Sequence, residues 1–223
     1  MSFSRASKNR LTVHDLGRFA GRTLFDRIGR AVCAAGCLPR KELYEAWETA
    51  RRVRRVFRGG RVVELGGGHG LVAHILLLLD DSSPGALVVD PAIPASAPVL
   101  NAAMVAAWPR LAGRIAFEQA TLNEVEVAVE IAATDLVVSI HACGALTDAV
   151  LDRAIAARAR VAVLPCCHDA GACDSGGLDG WMDRALAIDA ARALRLAQAG
   201  YHIRTQTIPA EITPKNRLLL GRM

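Results

Sequence analysis

The chain has 223 residues, of which 52% are hydrophobic, and this length suits one α/β domain with a short extension better than two complete domains. Aromatic residues make up only 4%, so the base-stacking surfaces of single-strand RNA-binding proteins are expected to be sparse. The net charge of +5 is modest for a nucleic-acid-binding protein and is compatible with any anionic substrate.

The cysteine pattern predicts a reduced, cytoplasmic environment. The six cysteines are Cys33, Cys37, Cys143, Cys166, Cys167 and Cys173. Their spacing does not match the disulfide framework of a small secreted domain, and no secretory leader precedes them. The longest apolar run, Ile75 to Leu79, is too short to cross a bilayer, so no membrane partner is expected.

The first 60 residues predict helices. Thr12 and Asp15 have the spacing of a capping box, and Pro39 introduces a second helical segment that Gly59 and Gly60 end. An apolar stripe at close to helical spacing runs along that segment: Leu43, Trp47, Ala50, Val53 and Phe57. We therefore expect residues 1–59 to form a helical extension that packs on the core.

The other side of this second segment is rich in arginine. Its basic residues are Arg51, Arg52, Arg54, Arg55 and Arg58, with Arg61 just beyond the glycines. A solvated helix face is the simpler interpretation of such a run. The functional interpretation is a phosphate-contacting surface for RNA, formed by Arg51, Arg54, Arg55 and Arg58.

From Arg61 onward, short β-like runs alternate with helical runs, which is typical of a mostly parallel sheet with helices on both faces. The predicted strands are Val62–Leu65, Ala86–Asp90, Ile115–Gln119, Asp135–His141, Val161–Pro165, Tyr201–Ile208 and Arg217–Gly221. The link between the last two strands is too short for a crossover helix, so they should form an antiparallel hairpin. The sequence thus predicts a Rossmann-like, doubly wound, seven-stranded α/β sheet over residues 60–223.

Two helix boundaries can also be predicted from local residue patterns. Thr121 and Glu124 form a capping-box pattern for one helix. Gly200 stands where a C-terminal cap belongs after the run from Trp181 to Ala199.

A glycine-rich loop, Glu64-Leu-Gly-Gly-Gly-His-Gly70, follows the first predicted strand. Its glycines permit a tight turn and the close approach of a small ligand. The stretch from Gly68 to Ala73 matches the dinucleotide fingerprint, and Asp90 lies 20 residues beyond Gly70, where a ribose partner is expected. The acidic Glu64, however, is a poor neighbour for a pyrophosphate.

The charge of this loop favours S-adenosylmethionine, which carries an ammonium and a sulfonium but no phosphate, over NAD(P). An NAD(P)-binding Rossmann protein and a catalytically silent cofactor-binding module remain the alternatives.

Two further clusters follow the fourth and fifth predicted strands. These are His141-Ala-Cys-Gly144 and Cys166-Cys-His-Asp169. Because ligands bind beyond the carboxyl ends of strands in open parallel sheets, both clusters should lie at the active edge. A cysteine nucleophile with His168 or His141 as its base is possible chemistry but leaves the glycine loop without a role.

The same clusters offer soft metal ligands at Cys143, Cys166, Cys167, His168 and Cys173. No Cys-x-x-Cys pair occurs among them, and adjacent cysteines cannot easily both face one tetrahedral ion. We therefore predict no metal site.

The loop, Asp90 and the final hairpin together resemble a class I S-adenosylmethionine-dependent methyltransferase, and the likeness covers residues 60 to 223. The resemblance implies that Glu64, Gly66, Gly68 and Gly70 surround the methionine part of the cofactor. It also implies that Asp90 holds the ribose hydroxyls and that Ala120 and Thr121 border the adenine. His69, within the loop, is expected to line the cofactor.

The clusters His141–Gly144 and Cys166–Asp169 make this resemblance more specific. Combined with the loop, they resemble a methyltransferase family that includes eukaryotic tRNA 2′-O-methyltransferases and unassigned bacterial proteins, and Ile212 to Leu218 is similar to that family's closing segment. The hairpin tip should lie on the cofactor face, so Lys215 and Asn216 are expected to contact substrate. Cys143 and Cys166 are expected to shape the substrate pocket.

Methyl transfer to oxygen or nitrogen requires alignment of the acceptor and removal of its proton. His141 is the first candidate base because its unperturbed pKa lies near neutrality, and His168 with Asp169 is the second. The arginine-rich helix and the resemblance favour an RNA acceptor. The size of the chain and the scarcity of aromatic residues favour a small-molecule acceptor.

Overall fold

A seven-stranded sheet forms the centre of the computed structural model, which describes residues 3–121, 129–169 and 171–223. Its strands are β1 (Val62–Leu65), β2 (Ala86–Asp90), β3 (Ile115–Gln119), β4 (Leu136–Ser139), β5 (Arg160–Val163), β6 (His202–Thr207) and β7 (Arg217–Arg222). The strand order is β3-β2-β1-β4-β5-β7-β6. Only β7 runs against its neighbours, pairing antiparallel with both β5 and β6. The predicted parallel sheet with a closing hairpin is confirmed.

The fourth and fifth strands, which precede His141–Gly144 and Cys166–Asp169, are shorter than predicted. The prediction extended the fourth strand over Asp135–His141 and the fifth over Val161–Pro165, whereas pairing ends at Ser139 and Val163. Asp135 is drawn out of the strand because its carboxylate accepts hydrogen bonds from Arg61, at 2.6 Å, and from the amide of Ala132. Because pairing ends at Ser139 and Val163, the side chains of the residues that follow need not alternate between the two faces of the sheet.

Six α-helices lie in the described part of the chain. They are α1 (Leu24–Ala35), α2 (Arg40–Val56), α3 (Leu71–Leu79), α4 (Ala97–Ala107), α5 (Ala145–Ala157) and α6 (Arg184–Gln198). None of the described helices is long and apolar enough to cross a bilayer. The capping box of Thr12 and Asp15 is present and begins a short 3-10 helix, Val13–Phe19. Glu124, the second residue of the other predicted capping box, lies outside the described residues.

The last helix begins later than predicted. Asp183 caps α6 by accepting a hydrogen bond from the amide of Leu186, so the helix starts at Arg184 and not at Trp181. Trp181 stands outside the helix with 87% of its surface exposed. Gly200 follows the end of α6 with φ +88°, the left-handed conformation expected at a C-terminal cap.

Helices cover both faces of the sheet, and those of the N-terminal segment share the core of one face. Leu43, Ala50 and Val53 of α2 are fully buried, and they belong to the same apolar cluster as residues of α3, β1 and β4. A second cluster on the opposite face involves residues of α5 and α6. Each fully buried Leu or Val contributes roughly 1.5–3 kcal/mol, so the helices before Gly59 are integral to the packing of the sheet.

The predicted basic face of α2 is largely engaged within the protein. Arg54 is only 2% exposed, and it forms an ion pair with Asp80 at 3.2 Å and hydrogen bonds to Leu76 O and Ser83 Oγ. Arg51 is paired with Glu48, and Arg58 donates to Leu79 O at 2.9 Å. Arg54 therefore cannot contact RNA, and the prediction that it does so is wrong because its position on the helix faces α3.

Removal of the buried Arg54 guanidinium should destabilise the protein strongly. The change Arg54→Ala leaves Asp80 as a buried carboxylate without its ionic partner, and we expect a loss of about 3–5 kcal/mol in the free energy of unfolding. Chemical denaturation measures this loss. Arg55→Ala is the matched control, because Arg55 is the exposed neighbour on the same helix, and it should change stability by less than about 0.5 kcal/mol. Equal effects of the two changes would contradict the assignment.

Candidate functional site

The glycine loop connects β1 to α3 at the carboxyl edge of the sheet. It lies beside the boundary between β1 and β4, where the strand order reverses and open α/β sheets bind their ligands. Gly68 has φ +51°, and a Cβ added there would meet open space. Gly70 has φ +72°, and a Cβ there would lie only 2.8 Å from Val88. The loop therefore requires glycine for its conformation at both positions and for packing at Gly70.

The carboxylate of Asp90, at the end of β2, holds the loop in place. One oxygen accepts a hydrogen bond from the amide of Gly68 at 2.9 Å, and the other accepts from the amide of Ala92 at 2.9 Å. A carboxylate oxygen can accept more than one hydrogen bond. Asp90 can thus brace the loop and still accept from a hydroxyl group of a ligand.

Glu64 lies beneath the loop as a buried carboxyl group with 2% exposure. Its Oε2 accepts a hydrogen bond from the amide of Ala73, in the first turn of α3, at 2.8 Å. The pKa of Glu64 is raised to about 8, chiefly by burial and to a smaller extent by the nearby charge of Asp90, while the hydrogen bond from Ala73 opposes the shift. At pH 7 this carboxyl group is mostly protonated when nothing positive lies near it.

These groups line a first cavity of about 520 Å³, within the range of small-molecule and cofactor sites. Of the predicted cofactor residues, the structure places Glu64, Gly66, Gly68, His69, Asp90 and Thr121 in its lining. Gly70 and Ala120 do not line the cavity. Gly70 begins α3, and Ala120 is buried with 7% exposure. His69 contributes a ring whose Nε2 lies 2.8 Å from Ser96 Oγ.

Three residues from the N-terminal segment complete this lining and were not predicted: Leu38, Glu42 and Ala46. The sequence predicted for that segment a packing role and an arginine surface for RNA, but no contact with the cofactor. Its sequence signal was the apolar stripe of α2, which predicts burial but not that the first turns of the helix reach the carboxyl edge of the sheet.

His141 stands between the first cavity and a second one. It lines both, the second having a volume of about 420 Å³. The pKa of His141 is lowered to about 4, chiefly by burial and also by the ammonium of Lys41, against a smaller opposing effect of Asp90. The pKa of His141 therefore lies below the unperturbed value for which it was chosen as a base, because a largely desolvated imidazole beside a cation resists protonation. His141 is neutral at physiological pH and offers a hydrogen-bond acceptor.

His168 and Asp169, the second candidate base pair, do not act on each other in this structure. His168 Nε2 lies 2.8 Å from Asp189 Oδ1, and Arg217 donates to the other oxygen of Asp189 at 2.6 Å. Asp169 instead accepts from the amide of Gly171. Neither residue lines either cavity. The His168 side chain therefore belongs to a hydrogen-bond network with Asp189 of α6 and Arg217 of β7.

The second cavity contains some of the predicted substrate residues. Its lining residues are Lys8, Pro39, Lys41, Glu42, Glu45, His141, Cys166, Cys167, Thr213, Pro214 and Lys215. Cys166 and Lys215, two of the predicted substrate residues, are among them. Cys143 is exposed near Cys166, outside this lining. Asn216 is not a cavity residue, because its side-chain amide donates to Ile208 O at 2.9 Å and closes the hairpin.

A family model described as a methyltransferase domain matches residues 41–172, which is more than half of the chain. The chain belongs to this methyltransferase domain family. S-adenosylmethionine is its methyl donor. The matched residues contain the glycine loop, Asp90, His141 and the three cysteines at the ends of β4 and β5.

Solved structures share the fold of this methyltransferase at low identity. A protein of Nostoc punctiforme described as an O-methyltransferase is 16% identical, with a TM-score of 0.55, and the match covers 94% of this chain and 68% of that one. The S-adenosylmethionine-dependent methyltransferase SibL is 18% identical, with a TM-score of 0.53 and coverages of 96% and 65%. The complex of fibrillarin with Nop5p matches at 11% identity, with a TM-score of 0.50 and coverages of 80% and 83%. No curated protein matches the chain.

The first cavity of the methyltransferase fits this donor. Its described lining contains three carboxyl groups, those of Glu42, Glu64 and Asp90, and neither lysine nor arginine. Such a lining suits a ligand with an ammonium, a sulfonium and ribose hydroxyls and repels a pyrophosphate. The open space at Gly68 leaves room for a ligand against the backbone. Glu64 and the loop can hold the methionine part, while Asp90 can accept hydrogen bonds from the ribose.

The change Glu64→Gln should stabilise the ligand-free methyltransferase and weaken donor binding. The pKa of Glu64 is raised from 4.5 to about 8 in the folded state. The folded wild type therefore binds more protons than the unfolded chain between these pH values, and it loses stability as pH rises through that window, by about 1 kcal/mol per pH unit. The glutamine side chain does not ionise, so the variant does not lose stability in this way. Its amide oxygen can still accept the hydrogen bond from the amide of Ala73.

Thermal or chemical unfolding at several pH values between 5 and 8 measures the difference. The stability of the variant relative to wild type should increase with pH, while its affinity for S-adenosylmethionine should fall by about tenfold or more, since a neutral amide attracts the cation less. Glu118→Gln, at an exposed carboxylate on β3, is the control and should change neither quantity. A variant that is less stable than wild type at pH 8 would contradict the buried position of Glu64.

Proposed function

We propose that this methyltransferase transfers the methyl group of S-adenosylmethionine to an oxygen or nitrogen atom of a small anionic molecule bound in the second cavity. The observation that carries the proposal is the placement of lysine. The chain has only three lysines among its 27 basic residues, and all three, Lys8, Lys41 and Lys215, line the second cavity. They come from the N-terminal segment, the first turn of α2 and the hairpin between β6 and β7.

An ammonium on a flexible stem is a common partner for phosphate or carboxylate. Lys41 is partly neutralised by Glu45, with Nζ 3.1 Å from the carboxylate oxygen. The three ammonium groups and the carboxylates of Glu42 and Glu45 give the second cavity a positive balance, in contrast with the acidic first cavity. This difference in charge directs the cationic donor to one cavity and an anionic acceptor to the other.

His141 and Glu42 lie at the junction of the two cavities. There they can bind or accept the proton that the acceptor loses. When bound, S-adenosylmethionine supplies a methyl group that is already electrophilic. The neutral imidazole of His141 can accept a hydrogen bond from the hydroxyl or amine of the acceptor and direct its lone pair toward the first cavity. Burial raises the pKa of Glu42, with a smaller contribution from Glu45. The charge of Lys41 opposes this rise, and Glu42 is thus a second group at the junction that can accept a proton.

Several observations favour a small acceptor over RNA. The second cavity is bounded by the N-terminal segment and the hairpin tip, and its volume of about 420 Å³ suits a small molecule. The arginines of α2 that were predicted to contact RNA, Arg51, Arg54 and Arg55, are 10 to 14 residues beyond Lys41, which places them about 15 to 21 Å along the helix axis from it. An RNA acceptor, which the tRNA methyltransferase resemblance suggests, is the alternative outcome of the test.

Transfer of labelled methyl from S-adenosylmethionine to fractionated cell extract tests the acceptor class. We expect label in anionic small molecules and not in RNA. With the acceptor so found, Lys215→Ala should raise KM by about tenfold or more with a smaller effect on kcat, since loss of one charged contact costs about 1.5–3 kcal/mol. Arg204→Ala, which removes an equal charge from the exposed strand β6, should leave KM unchanged. Label confined to tRNA or rRNA would overturn the proposal.

A further inference from the structure

Three thiols meet where β4 and β5 end. Cys143 lies in the turn before α5, and its Sγ is 2.8 Å from the Sγ of Cys166. The Sγ atoms of Cys166 and Cys167 are 3.9 Å apart, and all three sulfur atoms lie within 4.8 Å of one another. The amide of Gly144 donates to Cys167 O at 3.2 Å, which ties the two turns together. The backbone thus holds three soft ligands around one point.

The adjacency of two of these cysteines does not prevent convergence. The sequence predicted no metal site because no Cys-x-x-Cys pair occurs and because adjacent cysteines cannot easily both face one tetrahedral ion. Strand pairing ends at Val163, however, and the backbone of Cys166 and Cys167 is irregular. The sulfur atoms of Cys166 and Cys167 can therefore lie on the same side of the backbone. Their adjacency in the sequence does not prevent both from binding one ion.

The spacing of the sulfur atoms suits a tetrahedral ion. Zinc–thiolate bonds of 2.3 Å at tetrahedral angles place two sulfur atoms about 3.8 Å apart. The separation of 3.9 Å between Cys166 and Cys167 already has this value. Cys143 must move away from Cys166 by about 1 Å to reach it, and its exposed position permits this movement.

Among the described residues, these three cysteines form the one group whose histidine, cysteine or carboxylate ligand atoms converge within 4.8 Å. His168 Nε2 is bonded to Asp189 at 2.8 Å, and the Sγ of Cys173 lies 3.6 Å from the guanidinium of Arg192. The cluster therefore offers three protein ligands and leaves one position for another donor. Zinc sites with three protein ligands and an open position are characteristic of ions that contact water or substrate.

We propose that Cys143, Cys166 and Cys167 bind one zinc ion through three thiolates, with the fourth coordination position open to the second cavity. Cys166 and Cys167 line that cavity, and Cys143 is exposed beside it. Three thiolates and one Zn²⁺ leave a net charge of −1, and the ammonium groups of Lys41 and Lys215 line the same cavity. A thiolate set selects zinc or Cu(I) over hard cations, and zinc requires no redox chemistry.

The fourth position can take water or a donor atom of the acceptor. Only this last role rests on the proposed function. The ion itself can be detected without any substrate, so the two proposals can fail separately.

Metal analysis and cobalt substitution test the site. Protein purified with a non-chelating reductant should contain one zinc per chain. After removal of the metal, titration with CoCl₂ should produce intense near-ultraviolet absorption from cobalt–thiolate bonds and the visible bands of tetrahedral cobalt. Both signals should saturate at one equivalent and be lost when ZnCl₂ is added.

Substitution separates this site from adventitious binding. Cys166→Ser should weaken zinc binding by at least about 100-fold, because even the outer partners of metal ligands contribute 10–100-fold to affinity. Cys37→Ser, at a buried cysteine outside the cluster, should retain full binding. The circular dichroism of the metal-free variants, compared with metal-free wild type, controls for folding.

The proposal would be overturned by folded, reduced protein that neither contains zinc nor gives the cobalt–thiolate absorption. It would also be overturned if Cys166→Ser bound cobalt as wild type does. A Cys143–Cys166 disulfide, detected by mass spectrometry as a mass two hydrogens lower in the metal-free protein even under reductant, would equally exclude the site.

Discussion

The buried carboxyl group of Glu64 beneath the glycine loop is the interaction on which the rest of the site depends. It is the last residue but one of β1, it accepts from the first turn of α3, and the loop between them packs against its side chain. A carboxyl group in this position is costly to ionise, as the rise of its pKa to about 8 shows. Water does not compensate this cost, whereas a bound cation can. The loop is thus built for a positively charged ligand.

Charge is then distributed between the two cavities. Carboxyl groups line the first, and every lysine of the chain lines the second, with His141 and Glu42 at their junction. The same N-terminal segment supplies residues to both, since Leu38 and Glu42 border the donor cavity while Lys8 and Lys41 border the other. The helices that pack on one face of the sheet therefore also form the active edge, and an extension that seemed structural completes the site.

Local chemistry made part of this arrangement predictable. The loop glycines, Glu64 and Asp90 form a pattern in which spacing alone determines the geometry, and the seven-stranded sheet followed from alternating runs and one short connection. The burial of Arg54 was not predictable in this way. Its partner Asp80 lies just beyond α3, and only the packing of α2 on α3 brings the two residues together. The convergence of Lys8, Lys41 and Lys215 likewise depends on three segments that no local pattern connects. The partner of His168 was also not predictable, because Asp189 comes from α6, 21 residues further along the chain.

The number of protons released when S-adenosylmethionine binds tests the central role of Glu64 most directly. Titration calorimetry at pH 7 in buffers of different ionisation enthalpy gives this number. A cation bound beside Glu64 should ionise a group whose pKa is otherwise about 8, so wild type should release close to one proton per site, and Glu64→Gln should release almost none. Binding with a heat that does not depend on the buffer in wild type would contradict the role assigned to the buried carboxyl group.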